Sequence, residues 1–173
     1  NWICYRMLGA HTKEIEVYIQ AIRFDTDDAI AHYSLGVAYY ELGFHKDAIE
    51  AFKQAIRIDP DYAKTHCNLG VIYGQLGFYK DEIEAYIQAI RIDPDYAKTH
   101  YNLGAAYGQL GFHIDAIEAF KQAIRINPDY AMAHYNLSVA YLQIGDRNSA
   151  LSEFRILKRL DIDLADKLFD FIY

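Results

Sequence analysis

Apolar residues in the middle of the chain recur with a helical period. His32, Leu35, Gly36 and Tyr39 fall at i, i+3, i+4 and i+7, and Ala48, Ile49, Phe52, Ala55 and Ile56 line up in the same way further on. Each stretch therefore presents one face of a helix. Gly43 stands between the two stretches and Asp59-Pro60 comes after the second. A glycine there can end the first helix in a left-handed conformation at no steric cost. Proline disfavours helix in the residue before it and fits the first turn of the next helix, and the aspartate is expected to act as N-cap. The pattern predicts two helices, a glycine turn and a proline turn.

The same pattern returns at a fixed interval. Ala29 to Tyr62 is a 34-residue unit, Ala63 to Tyr96 and Ala97 to Tyr130 are copies that agree with each other at 25 of 34 places, and Ala131 to Leu164 is a weaker fourth. Gly43, Gly77, Gly111 and Gly145 occupy the glycine turn; Asp59-Pro60, Asp93-Pro94 and Asn127-Pro128 occupy the other, with Thr26 and Ile162 in place of proline at the ends of the array. Such a period means a solenoid whose units pack only on their neighbours. His32, Leu35, Gly36, Tyr39, Ala48, Phe52 and Pro60 follow the spacing W-x2-L-G-x2-Y…A-x3-F…P with His in the Trp place, so the chain resembles the tetratricopeptide repeat family. The resemblance implies an all-α fold, an α-α superhelix of antiparallel helix pairs, and a binding role. A single domain is expected over residues 1–173, with a partial repeat at 1–28, repeats at 29–62, 63–96, 97–130 and 131–164, and a capping helix at 165–173.

Two features depart from a plain array. In residues 1–28, Tyr5, Gly9, Ile15, Tyr18, Ala21 and Asp25 match Tyr39, Gly43, Ile49, Phe52, Ala55 and Asp59, so a turn is expected at Gly9 after a shortened first helix. Trp2, Ile3 and Tyr5 would then form an uncapped apolar end, which implies missing upstream sequence or homo-association through that end. Gly36, Gly70 and Gly104 sit mid-helix, at about 1 kcal/mol each relative to alanine. Close approach of the partner helix at Ala48 and Ala116 is the expected compensation, although Glu14 and Glu82 stand in that same place.

Composition narrows the function. A net charge of −7 lacks the clustered basic face that nucleic acid requires. No apolar run approaches 18 residues, so no membrane span is expected, and a cytoplasmic location follows as an expectation. Cys4 and Cys67 lie in different units at different places and are expected to be free thiols. No catalytic motif or phosphate-cradling loop is present, so no enzyme activity and no cofactor are expected. The histidine row His32, His66, His100 and His134 is spaced by whole units, too far apart to share a metal ion, and reads as packing.

In this family the inner face is lined by the first helix of each unit. Carried onto this chain, that face holds Tyr33, Cys67, Tyr101 and Tyr135; Asn68, Asn102 and Asn136; Tyr40, Gly74, Gly108 and Leu142; Glu41, Gln75, Gln109 and Gln143; and Lys64 and Lys98. An asparagine amide carries both a donor and an acceptor and can pair with extended backbone whatever its sequence. A similar row grips peptide in the O-linked N-acetylglucosamine transferase. The same asparagines can equally tether neighbouring helices, and the tyrosines can be either contact area or groove wall. The carboxylate clamp of chaperone-tail receptors is incomplete, because Tyr33, Val37 and Asn102 replace the lysine, asparagine and arginine it needs. The reading is a non-catalytic scaffold for a protein or peptide ligand. A substrate-docking arm of a larger enzyme such as a glycosyltransferase, or self-assembly through the N-terminal end, stay open beside it.

Overall fold

The computed structural model describes the backbone of residues 2–172 and the side chains of residues 12–169, 171 and 172. Its helices are α1 (Trp2–Phe24), α2 (Ala29–Glu41), α3 (His45–Ile58), α4 (Ala63–Gln75), α5 (Tyr79–Ile92), α6 (Ala97–Gln109), α7 (His113–Ile126), α8 (Ala131–Gln143), α9 (Arg147–Leu160) and α10 (Ile162–Ile172). They gather into two compact units, Asn1–Ile92 and Asp93–Tyr173. In the first, α2 packs on α3, α4 on α5, α1 on α2 and α3 on α4; in the second, α6 packs on α7, α8 on α9, α7 on α8, and α10 on α8 and α9.

The glycine turns form as the sequence predicts. Gly43, Gly77, Gly111 and Gly145 have φ of 78°, 77°, 80° and 80°. At the first, the Gly43 N–H donates to the Tyr40 carbonyl and the Phe44 N–H to the Tyr39 carbonyl, both at 2.9 Å, which satisfies two carbonyls left over at the helix end. The Phe44 ring then meets the Tyr39 ring edge-on at 6.3 Å, and Tyr73 with Phe78 and Tyr107 with Phe112 repeat the contact. In the fourth turn Asp146 replaces the phenylalanine and accepts instead from the Ser149 N–H at 3.0 Å, capping α9.

At Gly9 the expected turn is not made: α1 runs unbroken from Trp2 to Phe24. The residue after Gly9 is Ala10, a strong helix former with no ring to staple back on the preceding turn as Phe44 does. The apolar end expected at Trp2, Ile3 and Tyr5, like the thiol of Cys4, lies outside the described side chains. Cys67 is buried.

The aspartates before proline also act differently from expectation. Asp59 ends α3, and its Oδ1 accepts from the Asp61 N–H at 3.1 Å, folding the chain over Pro60. The next helix starts only at Ala63, beyond its reach. Asp93 and Asn127 do the same at 3.2 Å. At the same place of the last unit Asp161 does cap the helix after it, accepting from the Leu164 N–H at 3.0 Å, because Ile162 lets α10 begin at once.

The mid-helix glycines are compensated by aromatic rings, not by alanines. A Cβ on Gly36 would lie 2.6 Å from the ring of Phe52, and one on Gly70 or Gly104 would lie 2.7 Å from Tyr86 or Phe120. The missing side chain thus admits a ring that is 0–3% exposed, and burying such a ring returns roughly 1.5–3 kcal/mol, more than the glycine costs. Around these rings the cores form: Ala48, Phe52, Leu69 and Ile72 in the first unit, and Ala116, Ile117, Phe120, Leu137 and Ala140 in the second. Ala165, Leu168 and Ile172 of α10 close over Phe154 and Leu157 of α9, while Phe169 stays 45% exposed.

Candidate functional site

The second unit holds a cleft of about 350 Å³ between α6 and α8, floored by α7. Ala105, Gly108 and Gln109 form one wall, Asn136, Val139 and Gln143 the other, and His113 and Phe120 lie at the base. Small residues open it. A Cβ on Gly108 would have only the Ala116 Cβ within 4 Å, at 3.9 Å. The equivalent places in the other repeats pair Tyr40 with Ala48, Gly74 with Glu82, and Leu142 with Ala150. In each of those one member is large; at Gly108 and Ala116 both are small. The cleft is apolar at its base and carries three amides at its rim, as ligand pockets do, and its size lies within the roughly 300–1,000 Å³ common for them.

The asparagines are bonded to tyrosines one helix pair back. In the first unit Asn68 donates its Nδ2 to the Tyr33 hydroxyl at 3.2 Å, and in the second Asn136 donates to the Tyr101 hydroxyl at 3.0 Å. The amide oxygen takes no part in either bond, and it is the atom able to accept a peptide N–H. The tyrosine rings are clamped in turn: Tyr33 packs 5.8 Å from Phe52 and 5.0 Å from Tyr62, Tyr101 5.9 Å from Phe120 and 5.0 Å from Tyr130. Burial pushes the Tyr101 hydroxyl above the usual phenol range, with the bond from Asn136 acting against it.

The remaining expected site residues are distributed unevenly. Gln75 donates to the Tyr40 hydroxyl at 2.8 Å, so the tyrosine that replaces Gly108 in the first unit bridges the space the cleft occupies in the second. Gln109 is exposed on the cleft rim and Asn102 is half-buried on α6. Lys64 and Lys98 are exposed in the first turns of α4 and α6, where the helix dipole gives a cation no help. Tyr135 sits apart from the cleft lining, packed with Val139 and Leu142 on the cluster that α10 closes. Phe120, Ala140 and His113 line the cleft without having been expected there.

The histidine row packs as predicted. His32, His66, His100 and His134 each donate Nε2 to the carbonyl six residues earlier, at 3.2, 3.1, 2.9 and 2.9 Å, fastening a helix to its preceding turn. Among the described residues no three His, Cys, Asp or Glu side chains are grouped to hold a metal, and no helix is long and apolar enough to cross a membrane.

Comparison with known proteins places these helix pairs. The family model described as TPR repeat matches residues 5–43, 38–77, 79–111 and 115–145. No curated protein matches the chain. Among solved structures, a crystal structure of MamA is 28% identical, with a TM-score of 0.84 over 93% of this chain and 94% of that one. YrrB, described as a TPR protein with an unusual peptide-binding site, is 21% identical, with a TM-score of 0.78 over 94% of this chain and 84% of its own. TTC0263, a thermophilic TPR protein from Thermus thermophilus, is 23% identical, with a TM-score of 0.72 over 98% and 94% of the two chains. The all-α solenoid of antiparallel helix pairs expected from the sequence is the fold of these structures.

Proposed function

We propose, on the premise that this chain belongs to the tetratricopeptide repeat family, that it is a non-catalytic scaffold whose first-helix face holds a segment of another protein. The observation that carries this reading is the cleft opened by Gly108 and Ala116. An apolar side chain of the ligand enters it against Phe120 and Val139, while Gln109, Asn136 and Gln143 at the rim meet the flanking peptide groups. Asn68 provides the same amide in the first unit, held in orientation by Tyr33. Lys64 and Lys98 are exposed cations for the ligand's carbonyls or carboxylates. The peptide-binding site ascribed to YrrB, a protein of the same fold, supports a peptide as the class of ligand.

The test fills the cleft with the residue the first unit already uses. Gly108→Tyr should abolish retention of end-blocked random hexapeptides, read by fluorescence polarisation, while circular dichroism keeps its helical signal. Asn136→Ala should weaken the same peptides. Binding that survives both changes would place the ligand elsewhere.

A further inference from the structure

Glu82, like Glu14, puts a carboxylate where three other repeats carry alanine. It lies in α5 at the place where Ala48, Ala116 and Ala150 are completely buried, and it is itself only 7% exposed. Its Oε2 has no hydrogen-bond partner among the described residues. The Tyr86 hydroxyl, one turn on along the same helix, bonds to the carboxyl, and burial still holds the pKa of Glu82 above the usual carboxylate range. Gly74 of α4 faces it, and a side chain at position 74 would collide with the carboxyl. The carboxyl therefore stands where an α4 side chain would begin.

A buried carboxylate with an orphan oxygen is costly unless a cation or a donor completes it. No lysine or arginine of the first unit supplies one among the described contacts of Glu82. Packing accounts for a large side chain opposite Gly74, as Tyr40 and Leu142 are large opposite Ala48 and Ala150, but not for a charged one. The chain's net charge of −7 also favours a basic partner over an acidic one.

We propose that Glu82, beneath Gly74, receives an arginine or lysine side chain of a peptide held on the first unit, so that the ligand is a basic segment. This rests on the peptide-binding reading above and adds the charge of the ligand to it. The guanidinium or ammonium approaches at Gly74, where the carboxyl lies in the place of a side chain, and donates to that carboxyl. Gly74 is thereby a specificity residue: any side chain there would displace the carboxyl.

The experiment is a positional scan with end-blocked hexapeptide pools, each with one fixed residue, against the wild-type chain, Glu82→Gln and Asn68→Ala/Asn136→Ala. Pools fixed as Arg or Lys at one position should bind the wild type about tenfold more tightly than those fixed as Gln, the worth of one charge-assisted hydrogen bond. That preference should fall with added salt and vanish in Glu82→Gln, whose apolar and backbone selectivity stays. The asparagine double variant should weaken all pools alike and keep the basic preference. A wild type that retains peptides with no basic preference, or a preference that survives in Glu82→Gln, overturns this proposal and leaves peptide binding standing. No retained peptide in any pool overturns both.

Discussion

Asn136 on α8 donates its side-chain Nδ2 to the hydroxyl of Tyr101 on α6 at 3.0 Å, so the residue that offers an amide to the cleft is itself held by a ring from the preceding helix pair. The bond fixes which atom of the amide faces outwards. It also makes the asparagine a structural tie, and the two roles separate in a double-mutant cycle. Tyr101→Phe and Asn136→Ala should each lower the urea midpoint, with an interaction energy of about 1 kcal/mol between them, typical of a partly buried hydrogen bond. Additive losses would mean that the bond contributes nothing. Tyr101→Phe should in addition weaken peptide retention less than Asn136→Ala, because it frees the amide without removing it.

The glycines of one helix divide into two kinds that a single pair of substitutions distinguishes. Gly104 lies under the Phe120 ring, where an added Cβ would sit 2.7 Å from ring carbons; Gly108, one turn later, has only the Ala116 Cβ within 4 Å, at 3.9 Å. Gly104→Ala forces the ring aside and should cost about 1–3 kcal/mol. Gly108→Ala relieves a helix interior of glycine and should stabilise by about 1 kcal/mol. Thermal melts followed by the helical circular-dichroism signal check the signs. Equal signs would mean that the close approach at Gly104 is not present in solution.

The helices and glycine turns could be read from the sequence because they depend on local chemistry repeated several times over. A left-handed glycine followed by a phenylalanine that returns to the tyrosine of the last turn is visible as Tyr39, Gly43 and Phe44. The same logic, applied to Gly9 without regard to its neighbour, misplaces a turn where Ala10 continues the helix. The aspartate before proline shows a similar limit. Asp59 and Asp161 occupy one place of the unit, but only the second is close enough to a helix start to cap it. The cleft was beyond sequence reasoning for a different reason. No residue type marks it; it exists because two facing places, Gly108 and Ala116, are both small, and facing is a tertiary fact. The asparagine row was visible, and its tyrosine partners were named, but the bond between them emerges only when α4 lies on α2 and α8 on α6.

Glu82 makes the first unit sensitive to pH independently of any ligand. Desolvation raises its pKa, and the bond from Tyr86 works in the opposite direction without cancelling it. A carboxyl whose folded pKa exceeds its unfolded value contributes most when protonated, so its contribution is present below the unfolded pKa and is lost as pH rises through the folded one. Glu82→Gln should therefore raise the urea midpoint at neutral pH, and the gain should shrink to nothing below about pH 4. A gain that does not change with pH would show that the carboxyl is solvated.

His134 titrates with the same sign for another reason. Its ring is 3% exposed, with Nδ1 2.6 Å from Glu153 Oε2 and Nε2 2.9 Å from the Pro128 carbonyl, so both nitrogens face acceptors and the doubly protonated ring satisfies both. Burial pulls the pKa of His134 down, but the bonds to Glu153 and Pro128 and the charges of Glu153 and Asp129 outweigh it, and the value lies above the ordinary histidine range. Arg159 lines the same hollow as His134 and Asp129. Glu153 stands where the other repeats have Ala51, Ala85 and Ala119, so the other histidines of the row lack the carboxylate. With the folded pKa raised, the pair stabilises the second unit fully below the unfolded pKa of about 6.5 and loses that contribution as pH climbs through the folded value. Glu153→Gln should thus lower the melting temperature at about pH 6 and converge on the wild type at about pH 9. A constant difference between wild type and Glu153→Gln across that range would mean that His134 stays neutral throughout.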